Sequence, residues 1–366
     1  MSDTSTKRLI DTYFQVDNQP LMFFTGFFQT PQINFYNSET VEIDIVRSDE
    51  DISIAVQDLS AGYRDNSVDL FTNKEFKAPI HKEKIPLNSS DLLKRVPGRN
   101  PFEDVGYRAN VIQHLFMGMQ KIQRKIQRAI EFQASQVLQT GTVTLNDASG
   151  NAIYSIDYKP KAAHFPTAGV SWATATGAQK LDDIDSLASL IRSNGLANAD
   201  QLIMGVDAFN SLIRDDEVKA LYDNRRYDLG TIAPLDVRGN GGIYRGTIEI
   251  GNYRYDIWTY NNEYKDPQTS NKVQFLDKGK VIVRASSGRL DGTFGNIPNI
   301  GRELGINSNN IVPELPNRFS SGVNGVDLFT NVWLTPDGEQ IFGGVGSRPL
   351  LIPTAIDTFG CLDTQL

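Results

Sequence analysis

Side chains that could carry out catalysis or bind a metal are few in this sequence and stand far apart. The three histidines, His81, His114 and His164, show no HxxxH spacing, which would place two ring nitrogens on one face of a helix. Cys361 is the single cysteine, so no CxxC motif for metal or redox chemistry can form. No GxSxG motif for a nucleophilic serine occurs either. We therefore predict a protein without catalytic residues, cofactor-binding residues or metal ligands.

Glycine-rich stretches and paired carboxylates have simple structural explanations. GNGGIYRG at 239–246 and FGGVGSRP at 342–349 lack the GxxxxGK[ST] order of a phosphate-binding loop. Two aspartate pairs, at 182–183 and 215–216, stand where predicted helices begin or are interrupted, so capping and solvation account for them. The sequence therefore favours a structural or interaction protein over an enzyme.

Composition argues against several classes of protein. The 36 basic and 44 acidic residues give a net charge of −8, which disfavours a dedicated nucleic-acid binder. No apolar run reaches the length of a membrane helix, and the first residues lack the apolar region of a signal peptide. A single cysteine rules out an internal disulfide and fits a reducing cytosol.

A long amphipathic helix is predicted at 103–138, ahead of Gly141. At 1.5 Å per residue it would be on the order of 50 Å long, several times an average globular helix. Basic residues in its middle exclude a membrane span, and its heptad pattern is short for a coiled coil, which is the alternative. We favour a helix that lies across a sheet. The predicted buried residues are Ile112, Leu115, Met119, Ile122, Ile126 and Ala129.

The opposite face of this helix carries a basic stripe, formed by Lys121, Arg124, Lys125 and Arg128. Such a stripe could meet phosphate groups. Four charges within an acidic chain more often form a solvated or ion-paired face. Both interpretations stay open from the sequence.

The first 40 residues are polar at the start and then strongly aromatic, with Phe23, Phe24, Phe27 and Phe28 in one cluster. Two interpretations are open. The segment is either a strap that packs on its own domain or an arm that buries its aromatic residues against a neighbouring subunit.

Alternating apolar and polar residues predict strands at 41–45 and 52–56. The region 47–99 is highly charged and contains Pro79 and Pro86, which indicates a two-stranded polar ribbon with little core of its own. An isolated ribbon is marginal in water, so the same chain or a neighbour must support it.

Downstream patterns predict a small α/β unit. We expect a hairpin at 142–158, helices at 181–195 and 206–223, a buried strand at 201–205, and strands within 246–260 and 272–285. The glycine-, asparagine- and proline-rich stretch 287–325 indicates a loop. Two strands joined by a turn at 335–338 and an edge strand between Pro349 and Pro353 complete the chain.

The order of these parts resembles the major capsid proteins of tailed bacteriophages, of the phage lambda major head protein type. The motifs that carry the resemblance span nearly the whole chain. They are LMFFTGFFQ (21–29), VEIDIV (41–46), KEFKAPIHKEKIPL (74–87), LKRVPGRNPFED (93–104), EFQASQVLQTG (131–141), DDI (182–184), IMGVDAF (203–209), NYRYDIWTY followed by VQFLDKGKVIV, and SRPLLIP (347–353).

The resemblance implies an α+β chain with the Hong Kong 97-type phage capsid fold, built from a long spine helix, an extended β-ribbon loop, and peripheral and axial domains. The implied divisions are an N-terminal arm and first strand (1–46), the extended loop (47–99), the peripheral domain (100–195) with its spine helix (103–138), the axial domain (196–286), a return through the peripheral domain (287–346) and a C-terminal axial strand (347–366).

The function implied is structural and non-enzymatic. Copies of the chain would form pentamers and hexamers and then an icosahedral shell around double-stranded DNA, held without sequence specificity. Scaffold and portal proteins during assembly, and a decoration protein, are the other implied partners. No membrane or cofactor is expected. The location would be the virion, after assembly in the cytoplasm of a bacterial host. An encapsulin-like protein compartment is the alternative.

Two surfaces are expected to serve this function. Contacts between subunits are expected at the aromatic cluster, and also in the ribbon at Lys82, Glu83 and Lys84. The basic stripe of the long helix is expected to face the lumen of the shell.

Overall fold

The computed structural model describes residues 22–30, 35–36, 40–45, 72–88, 90–91, 107–146, 149–223, 241–251, 253–297, 320–321, 325–326, 328–335 and 337–366. The helices within these residues are α1 (Tyr107–Thr140), α2 (Gly177–Gly195), α3 (Val206–Arg214) and α4 (Asp216–Leu221). The strands are β1 (Phe35–Tyr36), β2 (Thr40–Ile45), β3 (Thr72–Lys77), β4 (His81–Asn88), β5 (Thr142–Asn146), β6 (Ala152–Asp157), β7 (Gln201–Met204), β8 (Tyr222–Asp223), β9 (Ile243–Ile250), β10 (Tyr253–Thr259), β11 (Glu263–Lys265), β12 (Lys272–Gln274), β13 (Lys280–Arg284), β14 (Asp291–Gly295), β15 (Ser320–Ser321), β16 (Gly325–Val326), β17 (Phe329–Leu334), β18 (Gln340–Ser347), β19 (Pro349–Ile352) and β20 (Phe359–Asp363).

The predicted long helix is present as α1, which has 34 residues. Its predicted first residues, 103–106, lie outside the described residues. It ends two residues later than predicted, at Thr140, where Gly141 takes a left-handed conformation with φ of 65°. A Cβ atom on Gly141 would lie 2.4 Å from Cγ of Pro160, so this turn has room only for glycine.

The buried face of α1 follows the predicted spacing and then moves by one position. Leu115, Met119, Ile122 and Ile126 are buried, whereas Ile112 and Ala129, which we also predicted to be buried, are half-buried. A straight α-helix has 3.6 residues per turn, whereas a heptad repeat corresponds to 3.5. Positions that follow a strict heptad therefore rotate away from the buried face along the helix, and Ile130 is buried instead of Ala129. The buried face continues through Ala134, Val137 and Leu138.

The first part of α1 lies across a three-stranded antiparallel sheet in the order β17-β18-β4. This arrangement is the predicted helix on a sheet rather than a coiled coil. Two glycines let the layers approach closely. A Cβ atom on Gly118 would lie 2.5 Å from Cδ1 of Ile85, and one on Gly343 would lie 3.1 Å from Cδ2 of Leu115.

A six-stranded sheet in the order β20-β13-β7-β10-β9-β8 forms the centre of the rest of the chain. Only β7 and β10 run parallel to each other, and the other neighbours are antiparallel. Both faces of this sheet are buried, and successive side chains of a strand point to opposite faces. Leu202 and Met204 point into a core with α2 and α3, whereas Ile203 points into the core that contains α1.

Helix α2 begins four residues before the predicted position. Thr176 caps it, because its hydroxyl accepts a hydrogen bond from the Gln179 N–H and the Gln179 side chain accepts one from the Thr176 N–H. This capping box was readable from the sequence. The aspartate pair at 182–183, which we placed at the start of this helix, lies deeper in it, where Asp183 accepts a hydrogen bond from the Trp172 indole at 2.9 Å.

The single helix predicted at 206–223 is wrong, because Asp215 is extended and separates α3 from α4. The buried Lys180 of α2 holds this break, donating to the Asp215 carboxylate at 2.6 Å and to the carbonyl of Ser211 at 3.0 Å. Two directional bonds to a fixed cation therefore outweigh the helical pattern of the local sequence.

The loop predicted at 287–325 contains a strand, β14, whose five residues are all buried. It lies between β1 and β19, so β19 is the predicted edge strand. The hairpins β5–β6 and β17–β18 are as predicted. Of the predicted ribbon at 47–99, the described parts are β3, which pairs with β2, and β4, which pairs with β18. The predicted strand at 52–56 lies outside the described residues.

Candidate functional site

The second part of α1 buries polar side chains that bind other parts of the chain. Glu131 is 0% exposed and its carboxylate accepts four hydrogen bonds. One oxygen accepts from the Phe24 N–H at 2.7 Å and the Tyr260 hydroxyl at 3.0 Å. The other accepts from the Thr25 N–H at 2.9 Å and the Thr25 hydroxyl at 2.6 Å. We call these four residues the Glu131 site.

The Glu131 site joins three elements of the fold. Phe24 and Thr25 belong to the N-terminal segment, which we define as residues 22–30. Tyr260 directly follows β10 of the six-stranded sheet. Burial raises the pKa of Glu131, and the hydrogen bonds from Thr25, Phe24 and Tyr260 oppose that rise. Burial and the nearby Glu131 charge likewise raise the pKa of Tyr260.

The aromatic cluster of the N-terminal segment packs inside its own chain. The rings of Phe23, Phe24 and Phe28 are at most 5% exposed. The Phe23 ring centroid lies 5.2 Å from that of Tyr260, and the Phe24 ring meets Tyr260 edge-on at 5.0 Å. Rings buried in this way leave almost no surface for a neighbour, so we place these three in the interior of the subunit.

Phe27 is the partly exposed ring of the cluster and contacts a buried cation. The Arg284 guanidinium lies 4.2 Å from the Phe27 ring centroid and donates to the Gln201 side chain at 3.2 Å. Burial lowers the pKa of Arg284 to about 10, although Asp200 opposes this shift. The strap interpretation therefore fits the described segment, and contact with a neighbouring subunit stays a prediction at Phe27.

The predicted ribbon contacts at Lys82, Glu83 and Lys84 are all exposed on β4. Glu83 forms an ion pair with Lys125 of the basic stripe, with 2.7 Å between Oε2 and Nζ. The ammonium group of Lys84 lies 4.5 Å from the Phe342 ring centroid. These contacts join β4 to α1 and to β18 within the subunit, and a role between subunits stays a prediction.

The basic stripe is a continuous surface on α1. Lys121 and Lys125 are exposed, and Arg124 and Arg128 are half-buried. Burial and the like charge of Arg124 lower the pKa of Arg128. Two arginines four residues apart on one helix repel each other.

The histidines and the cysteine stand apart in the structure as well. His81 accepts a hydrogen bond from the Gln133 amide at 2.8 Å, and burial lowers its pKa. His164 is buried between the carbonyl of Phe359 and the side chain of Asn194. Burial raises the pKa of Cys361 to about 12, which makes this thiol unreactive. In the part of the chain that the structure describes, no cluster of potential metal ligands and no helix able to cross a membrane occurs.

Sequence reasoning missed Glu131. The available signal was its position, since Glu131 stands next to Ile130 and three residues before Ala134 on the buried face of the predicted helix. A lone carboxylate at such a position requires hydrogen-bond donors from elsewhere in the chain. The sequence alone could not say which donors these would be.

Comparisons with known proteins identify the protein family. A family model described as phage major capsid protein E matches residues 5–360. The putative capsid protein of an Escherichia coli CFT073 prophage is 16% identical, with a TM-score of 0.61 over 95% of this chain and 93% of that chain. The capsid of Ralstonia phage GP4 is 10% identical, with a TM-score of 0.54 over 96% and 92%. Curated protein sequences gave no match.

A third solved structure gives a lower score. The SrpI encapsulin from Synechococcus elongatus PCC 7942 is 13% identical, with a TM-score of 0.40 over 92% of this chain and 88% of that chain. The two higher scores identify the Hong Kong 97-type capsid fold predicted from the sequence. Because the family model matches nearly the whole chain, this protein belongs to the phage major capsid protein E family.

Proposed function

We propose that this chain assembles with copies of itself into pentamers and hexamers, which close into an icosahedral shell around double-stranded DNA. The family match over residues 5–360 is the observation that carries this proposal. Heterologous contacts that close on themselves generate rings, and rings of five and six build a closed shell. Assembly would take place in the cytoplasm of the bacterial host, with scaffold and portal proteins present and with a decoration protein as a further partner. The chain would have no enzymatic role.

The domain division is part of the proposal. The predicted axial unit contains 196–286 and 347–366, and the predicted peripheral unit contains 100–195, with α1, and 287–346. The pairing of β20 with β13 supports the joining of the two axial pieces. Helix α2 packs on the same six-stranded sheet, so we propose to move the predicted boundary at 195 to a position before Gly177. The extended loop would be 47–99, and the N-terminal arm and first strand would be 1–46.

Contacts between subunits would involve the exposed ribbon residues Lys82 and Lys84 and the partly exposed Phe27. Glu83 would take part through its pair with Lys125, since both side chains remain about half exposed. Residues 1–21 precede the buried N-terminal segment and would supply the arm.

Electron microscopy of the purified chain, with and without its scaffold protein, tests the assembly proposal. Closed shells, tubes or rings of five or six subunits are the expected result. Particles that carry enzyme cargo instead of DNA would identify an encapsulin-like compartment. A chain that stays monomeric with its scaffold present would contradict the proposal.

Deletion of residues 1–21 tests the arm. A longer deletion, 1–30, would also remove the buried rings of Phe23 and Phe24 and so destabilise the subunit itself. The shorter deletion should leave a folded subunit that forms no shells. Normal shells from this variant would contradict the role of the arm.

The basic stripe would face the lumen and meet DNA phosphates. Each phosphate contact adds about 0.9 to the slope of log K against log salt for duplex DNA. Exchange of both Lys121 and Arg128 for alanine should therefore lower that slope by roughly two in a duplex-binding titration of unassembled subunits. An unchanged slope would show that the stripe is a solvated face.

A further inference from the structure

Hydrogen bonds hold the N-terminal segment both near its start and near its end. At its start, Phe24 and Thr25 bind the carboxylate of Glu131. Near its end, Gln29 exchanges backbone hydrogen bonds with the strand region at Leu290 and Gly292, at 2.8 and 2.7 Å. The Glu131 site therefore lies close to the start of the described part of the segment, shortly after residues 1–21.

Two of the donors at the Glu131 site are backbone groups that need an acceptor. Phe24 and Thr25 lie at the start of a three-residue 3-10 helix, where the first N–H groups have no partner within the helix. No side chain of the segment itself caps these groups. Because the site is fully buried, water cannot replace the missing acceptor cheaply.

We propose that Glu131 is a positioning residue that fastens the N-terminal segment to α1 and to the six-stranded sheet, and so fixes the position of the part of the chain that directly follows residues 1–21. This role depends on the carboxylate and not on the volume of the side chain. Among the described residues that bond to it, none is a cation, so the four hydrogen bonds are its means of stabilisation.

The chemistry of the site explains why glutamate is required. Four donors converge on two oxygens, and a carboxylate offers two oxygens that only accept when it is ionised. A glutamine of the same shape offers one oxygen and one NH2 group. In either orientation, the NH2 group would face an N–H donor of Phe24 or Thr25, and that donor would be left without an acceptor.

Partial digestion by chymotrypsin, which cleaves after aromatic residues, reports on the segment directly. Cleavage after Phe23, Phe24, Phe27 and Phe28 requires the segment to leave its buried position. In unassembled Glu131→Gln subunits, cleavage at these four bonds should be roughly ten- to a hundred-fold faster than in the wild type. Mass spectrometry of the fragments separates these bonds from all others.

Gln139→Glu is the matched control, an exchange in the opposite direction two turns further along α1. The Gln139 side chain binds the carbonyl of Phe275 at 2.8 Å and the N–H of Asp277 at 3.2 Å, so this variant should loosen that loop and leave the four bonds of the segment protected. Equal cleavage of Glu131→Gln and wild-type subunits at the four bonds would overturn the proposal, as would equal acceleration by both variants.

Two milder variants decide the question if Glu131→Gln does not fold. Thr25→Val and Tyr260→Phe each remove one hydroxyl donor and leave both N–H donors in place. Each should accelerate cleavage at the four bonds by a few-fold, about the effect of one net hydrogen bond. Wild-type cleavage rates in both would overturn the proposal.

The consequence for assembly rests on the proposed function. If residues 1–21 form an arm, an incorrectly placed starting point should reduce shell formation in Thr25→Val and Tyr260→Phe, in proportion to their cleavage rates. Failure of wild-type subunits to assemble would count against the proposed function alone, because the digestion result does not depend on assembly. Normal assembly of variants in which cleavage is faster would show that shell formation does not depend on the Glu131 site, and would overturn this consequence.

Discussion

The two halves of α1 pack by different means. From Leu115 to Ile130 the buried face is mostly apolar, with Gln123 as a buried polar residue, and it packs on a sheet that two glycines allow to approach closely. From Glu131 to Gln139 the buried face includes a carboxylate and amides, each bonded to a different part of the chain. The apolar half therefore supplies burial without direction, and the polar half fixes the positions of the N-terminal segment, β4 and the loop at 275–277.

Substitutions in the two halves should therefore affect the stability of the protein differently. A substitution in the apolar face should destabilise the whole subunit, because the free energy of burial is shared among many contacts. Loss of a directional hydrogen bond should mainly release the one segment that it holds.

A charge in the apolar half should have the largest effect. Ile122 is 5% exposed, and Ile122→Asp would bury a carboxylate without a partner. We expect a loss of about 4 kcal/mol in the free energy of unfolding, or failure to fold, measured by chemical denaturation. The adjacent Lys121 is exposed, so Lys121→Asp is the control and should change stability by less than about 0.5 kcal/mol. An unchanged denaturation midpoint for Ile122→Asp would show that this face is not buried.

Substitutions of bonded residues in the polar half should have non-additive effects on the free energy of unfolding. Glu131→Gln leaves a buried N–H donor unpaired and should cost about 2 kcal/mol. Combined with Tyr260→Phe in a double-mutant cycle, the two changes should be non-additive by about 1 kcal/mol, since their side chains are bonded at 3.0 Å. Glu131→Gln with Gln139→Ala should be additive to within about 0.5 kcal/mol, because these residues stand two turns apart. Additivity in both cycles would contradict a direct bond between Glu131 and Tyr260.

The contact between Gln133 and His81 should make part of the stability depend on pH. Burial lowers the pKa of His81, with Glu83 opposing, and the accepted hydrogen bond requires a neutral ring nitrogen. As the folded pKa lies below the unfolded value of about 6.5, the contribution is full above about 6.5 and is lost as the pH falls through the folded pKa. His81→Gln should flatten this part of the profile of unfolding free energy against pH. Identical profiles for the variant and the wild type would contradict the assignment.

The smallest effect should come from the ion pair between Lys125 and Glu83, which lies on the surface. The two side chains are 52% and 45% exposed, so solvent screens their attraction. Lys125→Ala should change the free energy of unfolding by less than about 0.5 kcal/mol, measured by chemical denaturation at low and at high salt. A loss above about 1 kcal/mol would show that β4 depends on this pair for its position on α1.

The apolar half was predictable from the sequence, and the polar half was not. Leu115, Met119, Ile122 and Ile126 repeat with the period of a helix, which local physics imposes on any amphipathic segment. The function of Glu131 depends on Thr25 and Tyr260, which lie 106 and 129 residues away in the chain. Periodicity carries no information on which distant donors meet a buried carboxylate.

Other differences between sequence and structure have the same origin. The helix predicted at 206–223 breaks at Asp215 because Lys180, on another helix, binds its carboxylate. The stretch at 291–295 reads as a loop from its glycines, yet it pairs as β14 between two strands from distant parts of the chain. The start of α2, in contrast, was a local signal that we missed, in Thr176 and Gln179.

Native-state hydrogen exchange tests the contrast between the halves of α1 most directly. In Glu131→Gln, the amides of Phe24 and Thr25 should exchange roughly ten-fold faster or more, while the amides of α1 around Leu115 keep their protection. In Ile126→Ala, a cavity in the apolar half should accelerate exchange throughout the cores that α1 shares with both sheets. The same pattern in both variants, or unchanged exchange at Phe24 and Thr25 in Glu131→Gln, would contradict the account.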